Sequence, residues 1–482
     1  MSSLKNKAIN GIKWSFINNL AHSGITFLVG IVLARLLTPA EFGTLGLIMV
    51  FIAVFNIIID GGFVTALIRK PDASDEDYNT VFFCNIGVSL FFMLLLCLCS
   101  QTIADFFNEP ILRFVTPVMS LLLLIYAFAI IQQTILVKNL AFKVQTQISL
   151  IASFGSGFIG IGMAFMNFGI WSLVGQQLSR QLLLTTILWF YSSWKPKWLF
   201  SKQSFKELLG FGWKILVGNL INTFYKNIFM VVIGKMYSTA QLGLYNRAEQ
   251  FNLILTENLS SVILKVSFPV FSQIQNDKDR MMFLFRKTLI YSSIITFSSI
   301  CGLAAVAKPL ILVLVGEKWL ESVKYLQIMC CYGVLYPLQQ LNVIILSVYG
   351  RSDLLLKLEV LKKLIFIPVL FVGYYFDLTS MLWAAVVYYY IEFVANSWYS
   401  ERFFGYGTWK QAKDLFPILL LSTFIAICMW CVTLLSIPSI FVLILQCLVG
   451  LSLFIGVYEW TSQTEYIELK NIVKNDLVHL LR

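Results

Sequence analysis

Ala34-Arg-Leu-Leu-Thr-Pro-Ala-Glu-Phe-Gly43 and Gly234-Lys-Met-Tyr-Ser-Thr-Ala-Gln-Leu-Gly243 match in character at most positions across a shift of 200. The same shift lays Asn19 and Leu20 on Asn219 and Leu220 without a gap. Each copy follows an apolar run long enough to cross a bilayer as a helix. An even number of such runs separates the two copies, so both emerge on the same membrane face. The halves therefore form a parallel repeat related by an axis along the membrane normal, an arrangement that encloses a site between the repeats.

Working outward, the rest of the 482 residues fits that frame. The chain is 58% hydrophobic and 13% charged, with mean hydropathy +0.79, the profile of a polytopic membrane protein. Lipid offers no partners to backbone N–H and C=O groups, so the long unbroken apolar runs must cross as helices, and they lack the alternation of a barrel strand. The expected fold is all-α, with about fourteen spans between residues 11 and 460. The expected domains are a six-helix lobe over 1–195, an interfacial linker over 196–210, a second six-helix lobe over 211–404, two additional spans over 405–460, and an amphipathic tail over 461–482. Trp198 to Leu209 is expected to lie along the membrane surface, as is the tail, where Tyr466, Leu469, Val473, Leu477 and Leu480 keep helical spacing. Lys5 and Lys7 open a first span that lacks a cleavable end, which predicts a retained helix.

With both termini inside, most of the 36 Lys and Arg fall in cytoplasmic segments, whereas the external segments hold Arg35, Arg113, Lys235, Lys308, Lys318 and Lys324. The net charge of +11 is thus accounted for by anionic lipid and the orientation rule, and nucleic acid is not an expected partner. Most of the nine cysteines sit in apolar spans and read as small hydrophobes. Cys428-Met-Trp-Cys431 has redox spacing but no βαβ context, and packing is its expected role.

A charge at bilayer depth costs at least ~2.5–3.5 kcal/mol, so a deep polar residue implies a partner or a wet cavity. Ser15, Asn19, His22 and Thr26 share one face of the first span, and the repeat places Ile215, Asn219, Asn222 and Lys226 at the matched face of the seventh. In the eighth, Arg247, Gln250, Asn258, Ser261 and Lys265 share a face. Span six adds Gln176, Gln177, Arg180 and Gln181 near mid-depth. Glu257 lies at a depth similar to Lys226 and is a candidate partner for it. Each of these residues also has a structural alternative, an interhelical hydrogen bond or ion pair, and Lys214, Arg247 and Lys265 lie near helix ends where snorkelling serves. A cationic ladder of this kind suits a substrate carrying pyrophosphate, with Arg180, Lys226 and Arg247 at a central anion site. Glu257 and His22 are the candidates for ion coupling, His22 by its intrinsic pKa.

Other patterns carry less. Gly155-Ser-Gly-Phe-Ile-Gly160 has dinucleotide-binding spacing but lies inside an apolar span, where small residues let helices approach closely. Asp75-Glu76-Asp77 resembles a glycosyltransferase acidic cluster, yet its loop is too short to hold a nucleotide-sugar domain. Asn258-Leu-Ser260 is a sequon inside a span. The chain has no G-x-x-x-x-G-K-[ST] motif, so it carries no P-loop of its own. No metal or cofactor is expected.

The segments Ala34 to Gly43, Asp60-Gly-Gly-Phe-Val-Thr-Ala-Leu-Ile-Arg69, Ile233-Gly-Lys235 through Leu244-Tyr-Asn-Arg-Ala248, and Val315-Gly-Glu-Lys-Trp319 resemble the polysaccharide transporter branch of the multidrug/oligosaccharidyl-lipid/polysaccharide flippase superfamily. The likeness to colanic-acid-exporter-like and O-antigen flippase members runs along nearly the whole chain. It implies two six-helix lobes around a cationic cavity, two extra C-terminal helices, and alternating access by rocking of the lobes. It also implies a cargo, an undecaprenyl-diphosphate-linked oligosaccharide moved across the bacterial inner membrane, with membrane lipids and polysaccharide polymerase or export proteins as partners. Relatives often carry an Asp in the middle of the seventh span, where this chain has Tyr225-Lys226-Asn227, so a coupling scheme does not carry over and Lys226 gains interest. Three alternatives differ in chemistry. A cation-drug antiporter needs carboxylates in its cavity, and a membrane polymerase or ligase needs a catalytic external loop longer than the ~15 residues around Lys308 to Ser322. A peptidoglycan-precursor flippase differs only in cargo.

Overall fold

The computed structural model describes residues 21 and 23–460. These form helices and turns, with no strand among the described residues. In order the helices are α1 (Ser23–Leu36), α2 (Pro39–Asp60), α3 (Phe63–Arg69), α4 (Asp75–Phe107), α5 (Leu112–Lys138), α6 (Phe142–Phe165), α7 (Ile170–Tyr191) and α8 (Lys202–Met236). They continue with α9 (Thr239–Gln273), α10 (Lys278–Leu314), α11 (Ser322–Gly333), α12 (Tyr336–Val348), α13 (Ser352–Tyr375), α14 (Leu378–Phe404), α15 (Thr408–Cys431) and α16 (Ser439–Trp460). The second expected span is α2 with α3 and the tenth is α11 with α12; of the first, the described part is α1. Among the described residues, eleven segments are long and apolar enough to cross a membrane. The long helices α7 and α13 fall short of that mark because each carries polar residues along its length: Gln176, Gln177, Arg180 and Gln181 in α7, and Lys357, Glu359, Lys362 and Lys363 in α13. Ser15, Asn19, His22 and the tail over 461–482 lie outside the described residues.

By internal contacts the chain divides into two compact units, one reaching to Gly243 and the other starting at Leu244. In the first, the repeat seen in the sequence reappears as atomic detail. Thr38 caps α2 in a reciprocal box: its N–H donates to Glu41 Oε2 at 2.7 Å, and its hydroxyl accepts from Glu41 N at 3.5 Å. Two hundred positions on, Ser238 N–H donates to Gln241 Oε1 at 3.4 Å and Ser238 Oγ accepts from Gln241 N at 3.2 Å. Both boxes satisfy amides that a helix start leaves without intrahelical partners.

Helix pairs α4–α5 and α6–α7 are the most extensively packed of this unit. The Gly155–Gly160 stretch lies in the middle of α6, and it works by close approach. A Cβ at Gly155 meets Leu183 Cδ1 at 2.8 Å, and one at Gly160 meets Gln176 Cβ at 2.8 Å. Asp75-Glu76-Asp77 is the first turn of α4, where carboxylates suit the helix dipole. Ser74 and Asp77 form another capping box there, and Lys70 Nζ sits 3.0 Å from Asp77. The expected interfacial linker is not a separate element. Ser201 caps α8, no proline lies within that helix, and it runs unbroken from Lys202 through Gly210 and Gly212 to Met236. The irregular stretch before it is pinned to α4, with Lys197 N donating to Asn79 Oδ1 at 2.6 Å and Ser201 N to Thr80 Oγ1 at 3.0 Å.

In the second unit, α10 packs against α11, α15 and α16. A buried polar network locks α12, α14 and α15 together. The Asn342 and Gln411 amides exchange hydrogen bonds of 3.0 and 2.9 Å, and Ser400 Oγ donates to Asn342 Oδ1 at 2.7 Å. Just beyond, Tyr406 OH donates to Asp414 Oδ2 at 2.7 Å, and Arg286 grips the same carboxylate with bonds of 2.6 and 2.9 Å. Burial and then that carboxylate push the Tyr406 phenol upward from its ordinary pKa.

Candidate functional site

Helix α8 carries the clearest polar stripe, and its mounting explains why the stripe is open. At its start, Gly212 and the Gly61–Gly62 turn meet backbone to backbone, so that a Cβ at Gly62 runs into the Gly212 carbonyl. Both turn glycines take the left-handed conformation, φ +57° and +73°, which non-glycine residues adopt at a cost. This accounts for the Asp60-Gly-Gly motif, whose aspartate caps α3 by accepting from Val64 N at 3.4 Å. At the other end, Gly234 leaves room only for Leu47 of α2, Lys235 Nζ donates to Phe106 O at 2.6 Å, and the Thr239 hydroxyl donates to Glu109 Oε1 at 2.7 Å.

Between those two anchors, from Trp213 to Val232, no residue of α8 is buried. Asn219, Asn222 and Lys226 fall within this stretch on one helical face, and all three are exposed. Lys226 stands about 15 Å from the Met236 end, well inside the apolar length of the helix.

Helix α7 presents Gln177 and Arg180 half-buried, with Arg180 about 15 Å along from Ile170. The glycine face of α6 sets their position by bringing α7 in at Gln176. Gln181 Nε2 is buried without a hydrogen-bond partner.

On α9 the expected polar face divides. Arg247 is 3% exposed: its guanidinium lies 4.9 Å from the centre of the fully buried Trp319 ring and donates to Gln250 Oε1 at 2.7 Å. Trp319 ends the 3₁₀ turn Glu317–Trp319, which follows Gly316 at φ +95°. The Leu244–Ala248 and Val315–Trp319 motifs are therefore two sides of one cation–π contact, and Arg247 is seated in the packing of its own unit. Asn258 spends its amide N–H on Ile254 O at 2.6 Å. Glu257 and Lys265 are exposed. Asn19 and His22 lie outside the described residues. Among the described residues no cluster of His, Cys, Asp and Glu is arranged to hold a metal.

The sequence reading passed over a third charged group. Lys362 of α13 lies 2.5 Å from Glu359 and 3.1 Å from Glu392 of α14. Its signal was present: Lys362 is one of several charges spaced along α13, and Glu392 lies inside the apolar span of α14.

Comparison with known proteins bears on what these features serve. A family model described as polysaccharide biosynthesis protein matches residues 32–324. The teichuronic acid biosynthesis protein TuaB of Bacillus subtilis is 27% identical over 359 residues, covering 73% of this chain and 74% of that one. The succinoglycan biosynthesis transport protein ExoT of Rhizobium meliloti is 26% identical over 308 residues, or 64% of this chain and 62% of its own. Among solved structures, the lipid II flippase MurJ in an inward closed conformation superposes with a TM-score of 0.77 at 15% identity, over 94% of this chain and 100% of that one. The fold is that of the multidrug/oligosaccharidyl-lipid/polysaccharide flippases.

Proposed function

This chain belongs to the polysaccharide biosynthesis protein family, and from that membership we propose that it carries an undecaprenyl-diphosphate-linked oligosaccharide repeat unit from the inner to the outer leaflet of the bacterial inner membrane. As a multi-pass membrane protein among transport relatives, it needs no catalytic constellation for this. It needs a wet, cationic path and a way to open that path to each side in turn.

The observation that carries the reading is the exposure of Asn219, Asn222 and Lys226 in the middle of an apolar helix, with Glu257 and Lys265 likewise exposed on α9. Facing lipid, each charge costs at least ~2.5–3.5 kcal/mol, so these residues call for polar surroundings, to which water and an anionic cargo contribute. Arg180 and Lys226 hold the diphosphate while the polyprenyl tail stays in lipid. Arg247 contributes by fixing α9 on Trp319. The second six-helix lobe begins with α8, both termini are cytoplasmic, and alternating access moves one lobe against the other. The polymerase or export proteins that use the delivered repeat unit are the partners downstream.

The test is translocation of labelled undecaprenyl-diphosphate oligosaccharide in vesicles holding the purified protein, with and without a proton or sodium gradient. Protein-dependent movement that falls in both Arg180→Ala and Lys226→Ala supports the reading. Folded protein that moves none of several such cargoes removes it and favours drug export.

A further inference from the structure

The Glu359–Lys362–Glu392 cluster is not used by the transport path just described. Its members sit deep in the second unit: Lys362 about 15 Å along α13 from Ser352, and Glu392 about 18 Å from the Phe404 end of α14. The Lys362 side chain is 9% exposed and that of Glu392 12%, whereas Glu359 is 36% exposed. One ammonium thus faces two carboxylates. A structural ion pair is complete with one, and the second leaves the ionised cluster with a net negative charge in apolar surroundings, an expensive arrangement.

A neighbouring side chain completes the case. Asn396 is one turn beyond Glu392 on the same helix, 1% exposed, and turned towards the Glu392 carboxylate. Neither its amide oxygen nor its nitrogen makes a hydrogen bond of normal geometry. Ionised Glu392 can accept from the Asn396 amide nitrogen, but it offers only acceptors and leaves the amide oxygen without a donor. A carboxylic acid has an O–H to give it.

The remaining ionisable groups leave Glu392 as the place for a proton. The charges acting on it are those of Lys362 and Glu359, and Lys363 is next in sequence on α13. From α12, Tyr336 lies within the field of Glu392 and of Glu257 on α9. On α14, Tyr389 lies within the field of Glu392 and of Glu249 on α9, and it stacks on Tyr332 of α11 with ring centres 4.4 Å apart. The phenols are neutral hydrogen-bonding groups, and Lys362 is the cation in direct contact.

We propose that Glu392 is a reversible proton-binding site. A proton from water adds to one Glu392 oxygen, the new O–H donates to the Asn396 amide oxygen, and Lys362 is left paired with Glu359. Release returns the proton to water and the ammonium to its shared position. No metal ion is required, because Lys362 already occupies the place between the carboxylates. That uptake on one side and release on the other drives cargo rests on the transport reading; the binding itself does not.

Infrared spectroscopy of the purified protein in lipid nanodiscs tests the binding directly. Wild type should show a protonated-carboxyl stretch that titrates with pH. That stretch should vanish in Glu392→Gln, whose amide keeps the shape of the side chain, and persist in Glu359→Gln. A wild-type protein without a titrating buried carboxyl, or a band unchanged in Glu392→Gln, overturns the proposal. A titrating band that behaves as expected in a protein moving no cargo keeps the site and removes the transport reading.

Discussion

Gly43 and Gly243 pack backbone to backbone: the place of a Cβ at Gly43 is filled by the Thr239 carbonyl oxygen, and that at Gly243 by the Pro39 carbonyl oxygen. Pro39 and Thr239 are themselves 200 residues apart, so each copy of the repeat supplies the obstacle for the other. A methyl group at either glycine has to push backbone rather than a flexible side chain. Gly43→Ala and Gly243→Ala should each destabilise the purified protein by about 1–3 kcal/mol, the usual cost of overpacking. Gly87 and Gly162 have nothing within 4 Å of a Cβ, so alanine there should be neutral or mildly stabilising in the same thermal unfolding series.

Arg247 and Trp319 give a prediction about side-chain type. A desolvated cation–π contact is worth about 2 kcal/mol or more, and it uses the planar guanidinium. Arg247→Lys should therefore recover little of the stability lost in Arg247→Ala, and Trp319→Phe should lose less than Trp319→Ala. Equal melting temperatures for the Lys variant and wild type would count against the stack.

Asn342 and Gln411 should show coupling. Removing one partner orphans a buried amide at about 1–3 kcal/mol, whereas removing both leaves fewer orphaned groups. Asn342→Leu and Gln411→Leu should each be costly, and the double variant should cost less than their sum. Denaturation midpoints in one detergent measure the cycle.

Lys70 supplies a pH dependence outside the spans. Its hydrogen bond to Asp77 leads the causes holding the ammonium above its ordinary pKa. A raised lysine contributes stability fully below its unfolded value and loses it as pH rises through the folded one. The difference in melting temperature between wild type and Lys70→Met should stay constant from pH 7 to about 9 and shrink only above about 10.4.

The sequence made the fold legible because its two strongest signals are local. Apolar runs of spanning length dictate helices, and the Thr38–Glu41 and Ser238–Gln241 boxes mark matched helix starts at a fixed spacing. Of the candidate site, the sequence made the exposed residues legible but not the buried ones. Lys226, Asn219 and Asn222 share a face by arithmetic, and α8 leaves that face open. Arg247 looked the same on paper, but whether a cation on a helix meets a cavity or an aromatic ring depends on a partner 72 positions away, Trp319. Helical periodicity cannot see that far. Glu392 and Lys362 were passed over for a related reason, since only the pairing of α13 with α14 brings Glu392 to the charges of α13 and makes them a cluster. The boundary set at residue 210 leaves no mark in α8, because a surface-lying helix and a spanning helix have the same backbone, and nothing at Gly210 or Gly212 forces a turn between them.

Helix α8 is anchored at Gly212 and at Gly234 and has no buried residue from Trp213 to Val232. At 35 residues it is about 52 Å long, against a hydrocarbon layer of about 30 Å. With no buried residue over its middle twenty positions, its tilt is sensitive to the thickness of the surrounding lipid. The bilayer is thus a working component of the helix that carries Lys226, and acyl-chain length in a reconstituted vesicle is a variable of the transport experiment rather than its background.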